Sequence, residues 1–287
     1  MEYKILKITD ELYPKKLKDI KNPPKKLFYI GDIELLKEPI FAVIGTRHIT
    51  NYGREITKIF TNNLAEEFVI ISGMAVGTDT VAHKSTLDVG GKTIAVLGNG
   101  FNNIFPKENI GLFNEIIKTG GLILTEYSPS VKPKSQNFPA RNRIVSGLSD
   151  GVLVIEAAYR SGTSITVDFA KQQGKKVFAI PGRLDSKYGV GVNKLIQDGA
   201  ILVTEIGDII KHYPQIMRKM WKNTYQEREI KEEYKEIFNL LEESPKGLEE
   251  LVIKIENRTI REIMNLLSLM ELDGIIKQEI GVGYKIV

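Results

Sequence analysis

NFPARNRIVSGLSDGVLVIEAAYRSGTSIT, residues 137–166, carries two helix starts and a strand in one short stretch. Arg141, Asn142 and Arg143 stand at the head of a helix expected over Asn142 to Gly147. Val152 to Ile155 is a continuous apolar run, the pattern of a parallel strand covered on both faces. Ser161-Gly162-Thr163-Ser164 then opens a second helix from small residues. Bare amides at a helix N-terminus attract anions, and guanidinium forks grip phosphate bidentately. The stretch therefore reads as a site for a ligand carrying phosphates.

The same alternation extends on both sides. Short apolar runs at Phe41–Ile44, Val69–Ile71, Thr93–Leu97, Leu122–Leu124, Val177–Ile180 and Ile201–Val203 predict further strands. Between them, helical patterns span Tyr52 to Glu67, Asp79 to Asp88, Asn109 to Thr119, Ser164 to Gln173, Val192 to Asp198 and Ile206 to Tyr213. Glycines at 90–91, 120–121 and 174 punctuate the junctions as helix ends do. Strands alternating with helices define an α/β fold with a doubly wound, mostly parallel sheet, whose ligands bind at the carboxyl ends of the strands.

Residues 1–39 form a lead-in, expected to be irregular and packed on the sheet: Pro14, Pro23-Pro24 and the pairs Lys15-Lys16 and Lys25-Lys26 argue against regular structure. The α/β body then spans 40–213, a linker carrying Trp221 spans 214–226, and a small unit spans 227–287. In that unit, helices expected at Ile230–Leu241, Leu248–Ile255 and Thr259–Leu272, with Gly274 ending the third, precede two strand-like runs. Three helices and a β-wing match a small C-terminal winged-helix domain.

Charge separates body from tail. From Gln226 onward, nine Lys and Arg face fourteen Asp and Glu, a balance of −5; the first 225 residues hold 31 against 22, or +9. A basic body suits a polyanion, whereas near the start of the tail's third helix only Arg258 and Arg261 are basic. Protein contact or regulation is therefore the favoured reading of the tail, ahead of DNA binding. The chain has no cysteine, which excludes disulfides and thiolate metal sites, and three scattered histidines make no metal centre. No metal and no cofactor is expected. Neither a signal-peptide core nor a run of about 20 apolar residues occurs, so a cytoplasmic protein without membrane attachment is expected.

Each strand end adds to the crevice. Gly45-Thr46-Arg47 follows the first body strand and is no GxGxxG, so the usual dinucleotide fingerprint is missing. Ser72-Gly73-Met74-Ala75 follows the second and leads into a helix carrying Asp79 and His83, four apart. A structural hydrogen bond between these two is favoured over a catalytic pair, because no cysteine or poised serine is at hand. Phe101 and Phe105 lie in the loop after the third strand, with core packing as the ordinary fate of both.

Taken together, these segments resemble the DprA/Smf family of DNA-processing proteins of natural transformation. The likeness runs through Leu12-Tyr13-Pro14, Gly45-Thr46-Arg47, Ser72 to Ala75, Thr93 to Gly98, Phe138 to Arg143, Ser161 to Thr166, Pro181-Gly182 and Asn193 to Ala200. It implies a Rossmann-like domain that binds single-stranded DNA, forms a homodimer and loads the recombinase RecA, without catalysis. By position, Arg47 is implied as a phosphate ligand within Gly45 and Thr46, and Arg141, Asn142 and Arg143 as pocket residues with Ser72 and Gly73. Phe138 is implied as a stacking group and Ser161 to Ser164 as an amide cradle; Lys194, Leu195 and Val203 fall on the dimer-forming edge. Two departures stand out. Val76 replaces an arginine of the family pattern, and Ser135 stands where a lysine is common, with Lys132 and Lys134 near enough to serve. The alternative is nucleotide binding, or a phosphoribohydrolase acting on nucleoside monophosphates on the lysine-decarboxylase-like fold. Its glutamate shortly after Gly-Thr is absent here, where Ser164-Ile165-Thr166 follow, and Glu156 stands upstream on the strand side.

Overall fold

Along Ile40–Ile44 the side chains alternate between two cores: Ile40, Ala42 and Ile44 enter one, Phe41 and Val43 the other. Val152 and Val154 against Leu153 and Ile155 repeat the alternation one strand away. A strand buried on both faces needs helices on both faces, and that is the arrangement found. The computed structural model describes residues 2–159, 161–214, 231–255, 257–273, 275–279 and 283–286. These fall into two compact units, one up to residue 214 and one from residue 231.

The first unit is built on a nine-stranded sheet. Its strands are β1 (Lys4–Lys7), β2 (Lys26–Gly31), β3 (Ile40–Ile44), β4 (Val69–Ser72), β5 (Thr93–Leu97), β6 (Leu122–Thr125), β7 (Gly151–Val154), β8 (Lys176–Ala179) and β9 (Ile201–Leu202). Their spatial order is β1-β2-β6-β5-β4-β3-β7-β8-β9, parallel from β6 to β9. The helices are α1 (Lys15–Lys18), α2 (Asn51–Glu67), α3 (Thr78–Asp88), α4 (Ile110–Lys118), α5 (Asn137–Leu148), α6 (Gly162–Gln172), α7 (Lys187–Gln197) and α8 (Gly207–Ile210). Residues of α1, α5, α6 and α7 join one core, and those of α2, α3, α4 and α8 the cores of the opposite face. Gly90, Gly120 and Gly174 all have positive φ just past helix ends, the conformation glycine adopts without strain.

The lead-in departs from expectation. It is not irregular: β1 and β2 form an antiparallel hairpin that extends the sheet beyond β6. Pro23 and Pro24 sit just before β2, where a missing amide costs no ladder bond, and a lysine at each end, Lys4 and Lys7, blunts the outer strand. Leu17 and Ile20 press on α5 at Gly147, where a Cβ would lie 3.0 Å from the Leu17 side chain.

At the opposite edge a second expectation is corrected. Val203 is fully buried in the core of Phe41, Phe178 and Tyr213, so it presents nothing to a second copy. Leu195 packs half-buried against the other core, and Lys194 is exposed and paired with Asp198 at 2.9 Å. Leu202, the neighbour of Val203, is 47% exposed. Val203→Asp is expected to cost about 3 kcal/mol or more, because a carboxylate would be buried without a partner. Leu202→Asp should cost under about 1 kcal/mol. Urea denaturation of both variants checks the contrast, and equal effects would place Val203 at the surface.

The second unit holds helices Lys235–Glu243, Leu248–Lys254 and Ile260–Leu272 and an antiparallel hairpin, Ile276–Glu279 with Gly283–Ile286. Its core gathers Tyr234, Phe238, Leu251, Ile263, Leu267 and Met270. Thr259 and Glu262 form a reciprocal capping box that fixes where the third helix starts. Of the two basic residues there, Arg258 pairs with Glu236 at 3.3 Å. Ile230, Gly274, Trp221 and the expected linker, apart from Pro214, lie outside the described residues.

Candidate functional site

From β3 the chain winds outward through β4, β5 and β6, then returns to β7 on the other side of β3 and winds outward again. Loops leaving the carboxyl ends of β3 and β7 consequently part in opposite directions and open a crevice. A cavity of about 550 Å³ fills it. Its walls come from the loop after β3, the turn after β4, and the first turns of α5, α6 and α7.

The α5 wall explains which of the expected residues reach the cavity. This helix begins at Asn137, five residues ahead of expectation, with Pro139 inside its first turn, where no amide bond is lost. Phe138, Arg141, Asn142 and Val145 all line the cavity, the i, i+3, i+4, i+7 spacing of one helical face. Arg143 is off that face. It does not line the cavity; it bonds Glu126 at 2.7 Å and the carbonyl of Asn22 at 3.0 Å, tying α5 to the lead-in. Its expected role as a pocket residue is therefore corrected to a structural clamp.

Arg141 is a floor residue and not a free phosphate ligand. Only 4% exposed, it donates from Nη1 to the carbonyls of Gly73 and Val96 and from Nε to Asn142 Oδ1 at 3.1 Å. Burial lowers its pKa to about 10, so it stays charged at neutral pH. Asp79 lies across Gly73 from it. A Cβ at position 73 would sit 2.7 Å from Arg141 Nη2 and 2.8 Å from Asp79 Oδ2, so only glycine fits between the two charges. Asp79 accepts from the amides of Gly73 and Ala75, both at 3.2 Å. Burial pushes its carboxyl up, and Arg141 and those amides pull it back.

Arg47 is an exposed cation of the lining, as is Lys187. Its guanidinium carbon stands 5.7 Å from the centre of the Phe138 ring, and among the described residues no carboxylate pairs with it. The segment before it is fixed: Thr46 accepts from Thr78 through its carbonyl and from His48 through its hydroxyl. A side chain at Gly45 would meet Thr78 Oγ1 at 2.4 Å. Opposite, the amides of Gly162 and Thr163 open α6 with no intrahelical partner in reach. The Thr163 hydroxyl donates to the Gly45 carbonyl at 3.0 Å and locks the two walls together. Ser161 also lines the cavity, and its buried Oγ has no hydrogen-bond partner among the described residues.

Other expected residues fall elsewhere. Ser72 is fully buried and donates to the Val43 carbonyl at 2.7 Å, which makes it a sheet residue. Ser164 does not line the cavity; its amide closes the first turn on Ser161. Lys134, like Lys132 and Ser135, is exposed outside the lining, and its carbonyl accepts from the Asn137 amide that starts α5. Lys187 and Tyr188 do line the cavity and were not singled out in the sequence. The rule that loops at the carboxyl ends of strands build the site would have found them after β8. Phe101 is core, whereas Phe105 is 43% exposed with its ring 5.5 Å from that of Phe138.

Asp79 and His83 share no bond, contrary to expectation. His83 Nδ1 lies 2.7 Å from Thr93 Oγ1, whose proton goes to the Ile70 carbonyl, so Nδ1 must donate. Nε2 is then a buried acceptor without a partner among the described residues, and a second proton there would find no acceptor among them either. Burial, and secondarily Arg141, accordingly lower the pKa of His83 to about 3. The unfolded chain takes up this proton below about pH 6.5 and the native one only near 3. This contribution to stability is complete above the unfolded value and is lost as pH falls through that window, by up to about 1.4 kcal/mol per pH unit. Denaturation at pH 7 and pH 5 should show a steeper acid loss for wild type than for His83→Gln; parallel losses would contradict the assignment.

Glu156, the acid upstream of the Gly162-Thr163 turn, is likewise engaged. It accepts from Thr50 Oγ1 at 2.6 Å and the Thr50 amide at 3.0 Å, and holds the positive end of α2. Gly53 leaves it room, since a Cβ there would lie 2.3 Å from its carboxylate oxygen. Among the described residues no cluster of three or more His, Asp or Glu gathers to hold a metal ion. No described helix is long and apolar enough to cross a membrane.

Fold and site define a class: a doubly wound α/β protein with free helix-start amides and an aromatic ring around a cavity at its topological switch point. The chain belongs to the DNA recombination-mediator protein A family, whose sequence profile matches residues 4–214. It is 44% identical over 206 residues to the DNA processing protein DprA of Streptococcus pneumoniae, covering 72% of this chain and 73% of that one. The X-ray structure of DprA from Streptococcus pneumoniae superposes with a TM-score of 0.71 at 42% identity, over 74% of each chain. A Helicobacter pylori DNA processing protein A, described for its single-stranded DNA binding mode, gives 0.67 at 34% identity, over 75% of this chain and 97% of that one. The expected family and the expected Rossmann-like α/β fold both stand.

Proposed function

We propose that this protein binds single-stranded DNA in the switch-point cavity and, as a homodimer, hands the strand to RecA during transformation and recombination. The observation that carries the reading is the pairing of Arg47, an exposed guanidinium with no carboxylate partner among the described residues, with the Phe138 ring at the mouth of an amide-lined cavity. A cation for phosphate beside a ring for an unstacked base is what sequence-tolerant single-strand binding requires. The DNA-binding relative from Helicobacter pylori supports it.

Binding without catalysis fits the same geometry. Asp79, the carboxylate that lines the cavity, and Glu156 are both held by amides or hydroxyls and are not poised to activate water. The phosphoribohydrolase alternative consequently has no observation in its favour. We read the second unit as a winged-helix domain for protein contact, in keeping with its acidic balance and the pairing of Arg258.

Fluorescence polarisation with single- and double-stranded oligonucleotides at two salt concentrations tests the function. Single-strand preference with affinity falling steeply in salt is expected. Turnover of a nucleoside monophosphate without strand preference would overturn it.

A further inference from the structure

A second recess, of about 200 Å³, adjoins the main cavity and shares Arg47, Gly73, Ala75, Phe138 and Arg141 with it. Its remaining walls differ in character. Met74, Val76, Phe105 and Pro106 are apolar, and the one acid among them is Glu108. The main cavity adds amides, hydroxyls and Lys187 to the shared residues, whereas this one adds a second ring, aliphatic side chains and a carboxylate at its surface.

We infer that this recess is a nucleobase subsite, walled by Phe105 and Phe138, in which Glu108 favours bases carrying an exocyclic amino group. The inference rests on the single-strand reading above and adds a residue, a site and a base preference to it.

Three observations lead there. Phe105 leaves 43% of its surface to solvent, an unusual cost for a large ring that a stacked base would remove. Its ring centre lies 5.5 Å from that of Phe138 at a tilt of 39°, so the two rings touch and together form one bent aromatic wall on which a base can stack. Gly98 lets Phe138 settle into this position, because a Cβ there would lie 2.7 Å from Phe138 Cδ1. The charge pattern then sorts the parts of a nucleotide. A carboxylate repels phosphate and accepts from an amino group such as those of adenine or cytosine, whereas thymine has none. Arg47, common to both recesses, is left to hold the phosphate between them.

Polarisation binding to the full-length chain at low salt would use three strands of equal length: oligodeoxyadenylate, oligodeoxythymidylate and an abasic deoxyribose-phosphate oligomer. Wild type should bind the abasic strand on the order of tenfold more weakly than the adenylate. Phe105→Ala should narrow that gap several-fold while leaving abasic binding and thermal unfolding unchanged. Glu108→Ala should bring the adenylate-to-thymidylate affinity ratio toward one. Equal binding of abasic and base-bearing strands by wild type would sink the subsite and leave the DNA reading standing. A Phe105→Ala variant with the wild-type gap, or one weakened equally toward all three strands, would sink it too. Failure of wild type to bind any strand would remove the DNA reading itself, and the subsite with it.

Discussion

Arg141→Ala is expected to lower stability by about 3–5 kcal/mol, a large share of what a domain of this kind has in hand. The alanine removes a buried cation and leaves Asp79 charged and buried on the far side of Gly73. It also strands the carbonyls of Gly73 and Val96, which accept from the guanidinium in the floor of the site. Much of the loss comes from the widowed carboxylate, so adding Asp79→Asn should recover part of it. Urea denaturation of the single and double variants gives the comparison. Undiminished stability combined with lost DNA affinity would return Arg141 to the part of a direct phosphate ligand.

Arg47→Ala should act the opposite way, with little change in stability and a large loss of binding. Its guanidinium is exposed and supports no buried partner, so the fold does not lean on it. If it neutralises one phosphate, the slope of log affinity against log salt should shrink by about 0.7. The weakening at low salt should be at least on the order of tenfold and similar across sequences. Arg47→Lys would keep the charge while losing the planar fork over Phe138, and should fall between the two. Affinity unchanged at low salt would remove Arg47 from the site.

The sheet was legible in the sequence because strands buried on both faces leave unbroken apolar runs, and Phe41–Ile44 and Val152–Ile155 are such runs. The lead-in hairpin was not, because β2 sits directly behind Pro23-Pro24 and β1 is short and flanked by lysines. Residue types pointed to Gly45 to Arg47, Phe138 and Ser161 to Thr163, and all of these line the cavity. They did not separate Arg141 from Arg143, since two arginines two positions apart look alike until the helix start is known. Once α5 begins at Asn137, one turns to the cavity floor and the other to Glu126. Ser72 and Val203 were misplaced for a related reason. A motif shows where the chain passes, and burial decides which side chains along it a ligand or partner can touch.

The return of the chain to lay β7 beside β3 has a consequence for how the protein comes to life. Arg47 and Phe138 are 91 positions apart, and the amides of α6 come later still. During synthesis β3 to β6 can assemble in the order they emerge, but the crevice has only one bank until β7 arrives. Closing so long a loop is slow compared with forming neighbouring contacts. Affinity for a strand should thus be absent from the growing chain and switch on in a single late step, so a half-made polypeptide does not capture DNA.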